Sequence, residues 1–253
     1  MRSTTIESTI YYSKKWDEGR QLEMRHYIDS KHTYLAIKRG MDISASLLVT
    51  LLIFPWLFPI IIALIKLDSR GPVFFKQKRV GFLGKTFWCY KFRTMQLNEA
   101  ADTRQAVKDD PRVTRVGKFL RDTGLDELPQ FINVLIGHMS IVGPRPHMLK
   151  DSREFSAVVA NYKFRNLSRP GITGMSQVRG CRGPASTFQS IFRRYQWDAY
   201  YVRNVSLGLD LKIMGETGWL MLKSLLHKDK PIPAEQTVLE HTNTSGMNVK
   251  KIA

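Results

Sequence analysis

The chain has 253 residues, with 39 Lys and Arg against 22 Asp and Glu and a formal net charge of +17. That length holds one large domain or two small ones with an adequate core, and the charge favours an anionic partner: nucleic acid, anionic lipid or a phosphorylated substrate. Cys89 and Cys181, the two cysteines, exclude a disulfide framework and a zinc spacing and fit a reducing compartment.

Residues 1–37 read as a polar extension without a secretory signal, since the first apolar run starts near Ile43 behind Lys, Glu, Arg and Tyr. That run, ISASLLVTLLIFPWLFPIIIALI from Ile43 to Ile65, carries no charge and is about 23 residues long, against the roughly 20 that a spanning helix needs. Pro55 and Pro59 interrupt its middle; each lacks an N–H, and together they strand the carbonyls of Leu51 and Pro55. Lys38 and Arg39 precede the run while Lys66 and Arg70 follow it, so the positive-inside tendency puts both ends on the cytoplasmic side. A helix that dips in, breaks at Pro55 and returns, occupying residues 38–70 with its basic flanks, satisfies both observations. A single spanning helix kinked at proline is the alternative.

A catalytic-domain-sized stretch, residues 71–230, follows. VFFKQKRV at 73–80 and TFWCYKF at 86–92, separated by GFLGK, predict a β-hairpin. Leu97–Val107 has a helical pattern that DDPRVTRVG breaks, and Lys118–Asp122 makes a short basic helix or turn. Pro129 opens a helix through about Gly137, with FINVLI as its apolar body. GPRP at 143–146 and RPGITG at 169–174 are loops on either side of a helix near Leu149–Tyr162. A further helix covers Thr187–Arg203. LGLDLKIMGETGWLMLKSLL is amphipathic in part, and lies against the core or in the lipid interface. Residues 231–253 form a polar tail.

Between Arg70 and Arg121 there are thirteen Lys and Arg against four Asp and Glu. Attraction to anionic headgroups, about 1 kcal/mol per basic residue near the surface, accounts for some of the lysines. Arg93, Arg121, Arg145 and Arg169 instead sit in Gly- and Pro-punctuated motifs, where a planar guanidinium suits bidentate phosphate contact. Nucleic acid is the weaker partner, because no helix-turn-helix, zinc-finger or RNP signature is present.

TGLDELPQ, residues 123–130, sets Asp126 and Glu127 side by side in this basic context. Neighbours do not face each other on a regular element, so the pair is expected to point in different directions and to do separate jobs. One could simply cap the helix at Pro129. In an arginine-rich phosphate site, carboxylates also suit Mg²⁺, and an aspartate can attack phosphorus directly.

KRGMD, GPVFFKQKRVG, YKFRTM, RVTRVGKFLRDTGLDELPQFINVLIGHMSIVGPRP, RPGITGMSQVRG and DAYYVRNVSLGLDLKIM, taken in order, resemble the bacterial sugar transferases, the monotopic phosphoglycosyl transferases that start glycan assembly on polyprenyl phosphate. The resemblance runs from about Lys38 to Leu226. It implies an α+β, mostly helical fold: a re-entrant membrane helix, amphipathic interfacial helices and a small β-hairpin around a cytosolic catalytic core. It also implies a UDP-sugar donor, an undecaprenyl (polyprenyl) phosphate acceptor, membrane lipids, Mg²⁺ held partly by Asp126, and a catalytic dyad at Asp126 and Glu127. Arg121 and Arg145 would clamp phosphate oxygens, with Lys91, Arg93 and Arg169 as further candidates. The chain matches the compact form of the family, placed at the cytosolic face of the bacterial inner membrane, feeding downstream glycosyltransferases and free to form homo-oligomers. Members often carry Ser-Pro at the membrane break; Phe54 precedes Pro55 here, so Thr50 or the second proline would have to compensate. His138, His147 and Cys181, near the motifs, are expected to pack or lie at the surface. A non-catalytic membrane-anchored adaptor, binding anionic lipid or a glycan-assembly partner, is the reading from another class; it would need neither the Asp126–Glu127 pair nor RPGITG.

Overall fold

The computed structural model describes Gly19 and residues 22–97, 110–181, 183, 185 and 187–226. Most of the helical pattern expected at Leu97–Val107, and the tail from Pro231, lie outside the described residues.

The apolar run folds as two helices. α1 (His32–Leu52) and α2 (Phe54–Asp68) meet at Ile53, bent by 63°. Among the described residues no single helix is long and apolar enough to cross a membrane, but this bent pair together meets that requirement. The break falls at Ile53 rather than at Pro55, because Pro55 occupies the first turn of α2, where a missing N–H costs nothing. Pro59 lies inside α2. Thr50 does not compensate for the broken ladder: its hydroxyl is buried without a hydrogen-bond partner. The indole of Trp56 donates from Nε1 to the neighbouring Leu52 carbonyl at 2.6 Å.

The base of α1 is fastened to the rest of the molecule by the charged residues of KRGMD. Lys38 Nζ pairs with Asp210 Oδ2 at 2.9 Å. Arg39 donates to the carbonyls of Val134 (2.7 Å) and Leu135 (3.0 Å). Buried Asp42 accepts from the backbone N–H of Ile141 at 2.9 Å and from the Ser140 hydroxyl at 3.1 Å. On α2, Ile61 and Ile65 pack into one buried cluster with Phe92 and Leu120.

β1 (Phe74–Val80) and β2 (Thr86–Phe92) pair antiparallel, with Phe74 opposite Phe92 and Lys78 opposite Trp88. α3 (Arg115–Thr123) is longer than the expected Lys118–Asp122 because Thr114 caps it through the N–H of Gly117 at 3.0 Å. α4 (Gln130–Leu135) stops short of Gly137, where Arg39 takes up its last carbonyls. β3 (Ser140–Val142) pairs in parallel with β4 (Gly171–Thr173). α5 (Leu149–Val158) ends before Tyr162, because Asn161 turns left-handed at φ 60° and leads into a 3₁₀ segment, Tyr162–Leu167. α6 (Met175–Val178), α7 (Phe188–Arg203) and α8 (Leu207–Leu226) complete the chain order. The main core joins Val142, Phe164, Tyr201, Val202 and Ile213. α8 lies against the core through buried Ile213, while Leu211, Trp219 and Leu222 are exposed.

Candidate active site

Asp126 and Glu127 sit on a single 3₁₀ turn, Leu125–Glu127, between α3 and α4. Gly124 makes the join, closing α3 in the left-handed region at φ 73°, which favours glycine. α3 itself lies hard against the strand exit after β2: a Cβ on Gly117 would stand 2.0 Å from the Thr94 carbonyl oxygen. Neither carboxylate caps α4, whose N-terminus receives no side-chain hydrogen bond, so the capping alternative falls. The expectation that the two carboxylates diverge also needs correction. Lys91, at the end of β2, reaches both, with Nζ at 2.5 Å from Glu127 Oε1 and 3.5 Å from Asp126 Oδ2. The half-buried Lys91 ammonium attracts both anions, an attraction that adjacency in the chain does not reveal.

Arg145 closes the other side of Glu127, its guanidinium donating to Oε1 at 2.6 Å and Oε2 at 3.3 Å in a two-pronged grip. These contacts push the neighbouring carboxyls in opposite directions. Burial works to raise Glu127, but the charges and hydrogen bonds of Arg145 and Lys91 outweigh it and hold Glu127 well below the usual carboxylate range. Asp126, also buried, is raised above its ordinary value: burial leads, Lys91 opposes it, and the charge of Glu127 adds to it. Divergent environments for paired carboxyls separate their chemical roles. The contacts hold Glu127 toward its anionic form, while burial pushes Asp126 toward its neutral form.

Arg121 joins this cluster, hydrogen-bonded through Nε to Thr94 Oγ1 at 2.7 Å and felt electrostatically by Asp126. Two other basic candidates are held elsewhere. Buried Arg93 donates to Pro72 O at 2.5 Å, Ser69 Oγ at 2.8 Å and Ser69 O at 2.9 Å, locking the end of α2 to the end of β2. Arg169 lies over the Phe82 ring at 5.5 Å and donates to the Gly137 carbonyl at 3.3 Å. His147 is buried and shares a hydrogen bond between Nδ1 and the Tyr162 hydroxyl. His138 packs its ring 5.6 Å from that of Phe87, and burial pushes the Cys181 thiol up.

Residues 33–224 match the family model for bacterial sugar transferases. The chain belongs to that family. This sugar transferase is 46% identical over 181 residues to the UDP-glucose:undecaprenyl-phosphate glucose-1-phosphate transferase of Klebsiella pneumoniae, covering 71% of the present chain and 39% of the relative. It is 45% identical over 185 residues to the exopolysaccharide production protein PSS of Rhizobium leguminosarum bv. phaseoli, covering 71% of the present chain and 92% of that protein. A third relative, from Aeromonas hydrophila, is named UDP-N-acetylgalactosamine-undecaprenyl-phosphate N-acetylgalactosaminephosphotransferase; it is 43% identical over 185 residues, covering 73% of the present chain and 43% of the relative. The sugar transferase thus spans less than two-fifths of the Klebsiella relative it matches.

Sequence reasoning missed three residues around the candidate site: Arg79, Arg165 and Asp198. Arg165 and Asp198 form an ion pair at 2.7 Å with side chains only 3% and 1% exposed, and Arg165 also donates to the Arg145 carbonyl at 2.5 Å. Arg79 donates to the Pro146 carbonyl at 3.0 Å. The available signals were Arg79 inside the quoted motif GPVFFKQKRVG and Asp198 inside DAYYVRNVSLGLDLKIM; Arg165 lies in neither. For the implied Mg²⁺, no three His, Cys, Asp or Glu side chains converge among the described residues. Mg²⁺ takes one or two protein carboxylates and completes its shell with water and phosphate oxygens, which a buried carboxylate not gripped by two cations can serve. Asp126 fits that role; Glu127, gripped by Lys91 and Arg145, is already committed.

Proposed function

We propose that this sugar transferase moves a sugar-1-phosphate from a UDP-sugar to undecaprenyl phosphate, releasing UMP, through a phosphosugar carried on Asp126. The supporting observation is the asymmetric pair: a buried, upshifted Asp126 beside a Glu127 immobilised by Arg145 and Lys91. In the first step a carboxylate oxygen of Asp126 bonds to the β-phosphorus of the donor. The bond from that phosphorus to the bridging oxygen breaks, and UMP leaves with the electron pair. In the second step an oxygen of undecaprenyl phosphate bonds to the same phosphorus, and the Asp126 carboxylate departs with its electron pair. The product is a polyprenyl-diphosphate sugar. Lys91, Arg121 and Arg145 stabilise charge on the phosphate oxygens. Glu127 is a poor base, being ionised and occupied, and its work is to orient Lys91 and Arg145; the acceptor phosphate, with a second pKa near ~6, is already mostly dianionic at neutral pH. Asp126 would hold Mg²⁺, which would supply charge neutralisation for the leaving phosphate.

The bent α1–α2 pair is read as a re-entrant membrane helix, with the catalytic part on the cytosolic face of the bacterial inner membrane. The exposed apolar side chains of Leu47, Leu48, Leu51, Leu52, Trp56, Ile60 and Leu64 support this reading, since so large an unpartnered apolar surface marks a lipid or protein contact. The product passes to downstream glycosyltransferases. UDP-glucose is the first donor to test and UDP-N-acetylgalactosamine the second, after the names of the relatives. The deciding experiment incubates the membrane-embedded protein with UDP-sugar labelled at the β-phosphorus and maps the acid-quenched adduct. Label on Asp126, chased into lipid by undecaprenyl phosphate, is the expected result. Lipid product formed by an Asp126→Asn variant would refute the assignment.

A further inference from the structure

The loop that presents Arg145 has prolines on both sides, Pro144 and Pro146, so two of its residues have no N–H to donate. Backbone N–H groups hold its ends, with Gly171 donating to the Pro144 carbonyl at 3.1 Å and Val80 to the His147 carbonyl at 3.0 Å, while the carbonyls of Arg145 and Pro146 are held by two arginines from distant parts of the chain. Arg165 Nη2 donates to the Arg145 carbonyl at 2.5 Å, and Arg79 Nη1 donates to the Pro146 carbonyl at 3.0 Å. Each arginine is itself fixed: Arg165 by Asp198 Oδ2, at 2.9 Å from Nε and 2.7 Å from Nη2, and Arg79 by Gln77 Oε1 at 2.5 Å. The Arg165–Asp198 pair is almost wholly buried, and Asp198 Oδ1 lacks any hydrogen-bond partner. As a source of stability this is a poor arrangement, because apolar side chains of the same volume usually do as well as a buried ion pair or better. As a way of fixing one carbonyl in space it is effective, since the planar guanidinium spans both partners with separate N–H groups.

We propose that Arg165 and Asp198, with Arg79 as a second arm, are positioning residues for Arg145: by holding the carbonyls at and after Arg145 they aim its guanidinium at Glu127, and through Glu127 set Lys91 beside Asp126. This rests on the reading of Asp126 as the phosphosugar carrier. Neither Arg165 nor Asp198 need touch substrate. Their removal acts through the Arg145–Glu127 grip of 2.6 and 3.3 Å, where displacements on the order of 1 Å cost up to about a hundredfold in rate.

The test is a double-mutant cycle on the full chain in lipid nanodiscs, measuring UMP release from UDP-glucose and UDP-N-acetylgalactosamine with undecaprenyl phosphate present. Arg165→Lys keeps a positive charge for Asp198 but cannot span both partners, and is expected to lower kcat/KM about tenfold or more. In an Arg145→Lys background the same change is expected to cost less than about twofold, because the group it positions is already gone. Equal losses in both backgrounds overturn the proposal. A merely structural defect lowers the rate by the same factor in both backgrounds, so the coupling itself separates a positioning role from a structural one. Should Arg165→Lys fail to fold, Arg79→Lys runs through the same cycle with the same expected coupling. Absence of UMP release by the unaltered protein would remove the proposed function together with this inference, while normal release with additive losses removes this inference alone.

Discussion

Replacing Arg93 by methionine separates a structural arginine from a phosphate-binding one. The substitution keeps most of the aliphatic stem and deletes the guanidinium, with its three short hydrogen bonds to Pro72 O, Ser69 Oγ and Ser69 O at 2.5, 2.8 and 2.9 Å; the longer contact to Met95 O at 3.5 Å adds little. Hydrogen bonds to a charged group contribute about 1.5–3 kcal/mol each, and water can replace some of those lost where the strand exit is open, so a net loss of about 3 kcal/mol is expected. For a chain of this size that corresponds to a fall in Tm of roughly 6–12 °C. Thermal unfolding of the nanodisc-embedded protein, followed by tryptophan fluorescence, gives the first number, and steady-state UMP release gives the second. The expected pattern is a large drop in Tm with little change in donor KM well below the transition. A Tm within about 2 °C of the parent, together with a donor KM raised tenfold, would show that Arg93 binds phosphate and that the junction does not depend on it.

Asp126→Asn, besides abolishing the labelled adduct, should stabilise the fold at neutral pH. Because burial raises the folded-state pKa of Asp126 above the ordinary 3.8, the parent loses stability as pH rises from that value through the folded pKa, and the variant escapes this loss; melting curves below 3.8 and at neutrality check it, and an unstabilised variant at neutrality contradicts it. Lys91→Met removes a cation that holds Asp126 down, so the acid limb of kcat/KM should move to higher pH, and an unmoved limb would disconnect Lys91 from Asp126. Gly117→Ala forces a Cβ to within 2.0 Å of the Thr94 carbonyl; backbone must move, at a cost of about 1–3 kcal/mol read by denaturant unfolding, and a variant as stable as its parent would show that α3 can retreat freely.

The parts of this molecule that local pattern specifies could be read from the sequence. Alternating aromatic and basic residues marked the strands that pair with Lys78 opposite Trp88, and two prolines in an uncharged run marked a break, although Pro55 proved to start the second leg instead of ending the first. Asp126 and Glu127 stood out as adjacent acids in a basic chain. Their physical relation did not, because it depends on partners 36 and 18 residues away, Lys91 and Arg145. Arginine content was equally ambiguous. Arg93, Arg121, Arg145 and Arg169 occupy similar Gly- and Pro-rich settings, and only tertiary contacts divide them into residues that reach the dyad and residues that fasten backbone. Arg165 and Asp198, 33 residues apart, follow no periodicity that a one-dimensional reading can detect.

The same contacts tie the bent α1–α2 pair to the candidate site. Asp42 at the base of α1 holds β3, and β3 runs directly into the loop of Arg145. Arg39, one turn earlier, holds the end of α4, whose start follows the dyad. On the returning leg, Asp68 accepts the Val116 N–H at 3.1 Å and so holds α3, which bears Arg121, while Arg93 ties Ser69 to the strand that carries Lys91. Each leg of the bend is therefore fastened to a different half of the site. On the proposed function, a lipid acceptor cannot rise far from the bilayer, at ~0.8 kcal/mol for each CH₂ exposed, so the height of Asp126 above the hydrocarbon has to be fixed. Two legs fix height and tilt together, where one spanning helix would leave the catalytic part free to rock. A substitution that cuts one leg, such as Asp42→Ala, should accordingly impair transfer to the lipid-embedded acceptor more than it impairs UMP release in the first half-reaction, and equal impairment of both steps would argue that α1 is an anchor only.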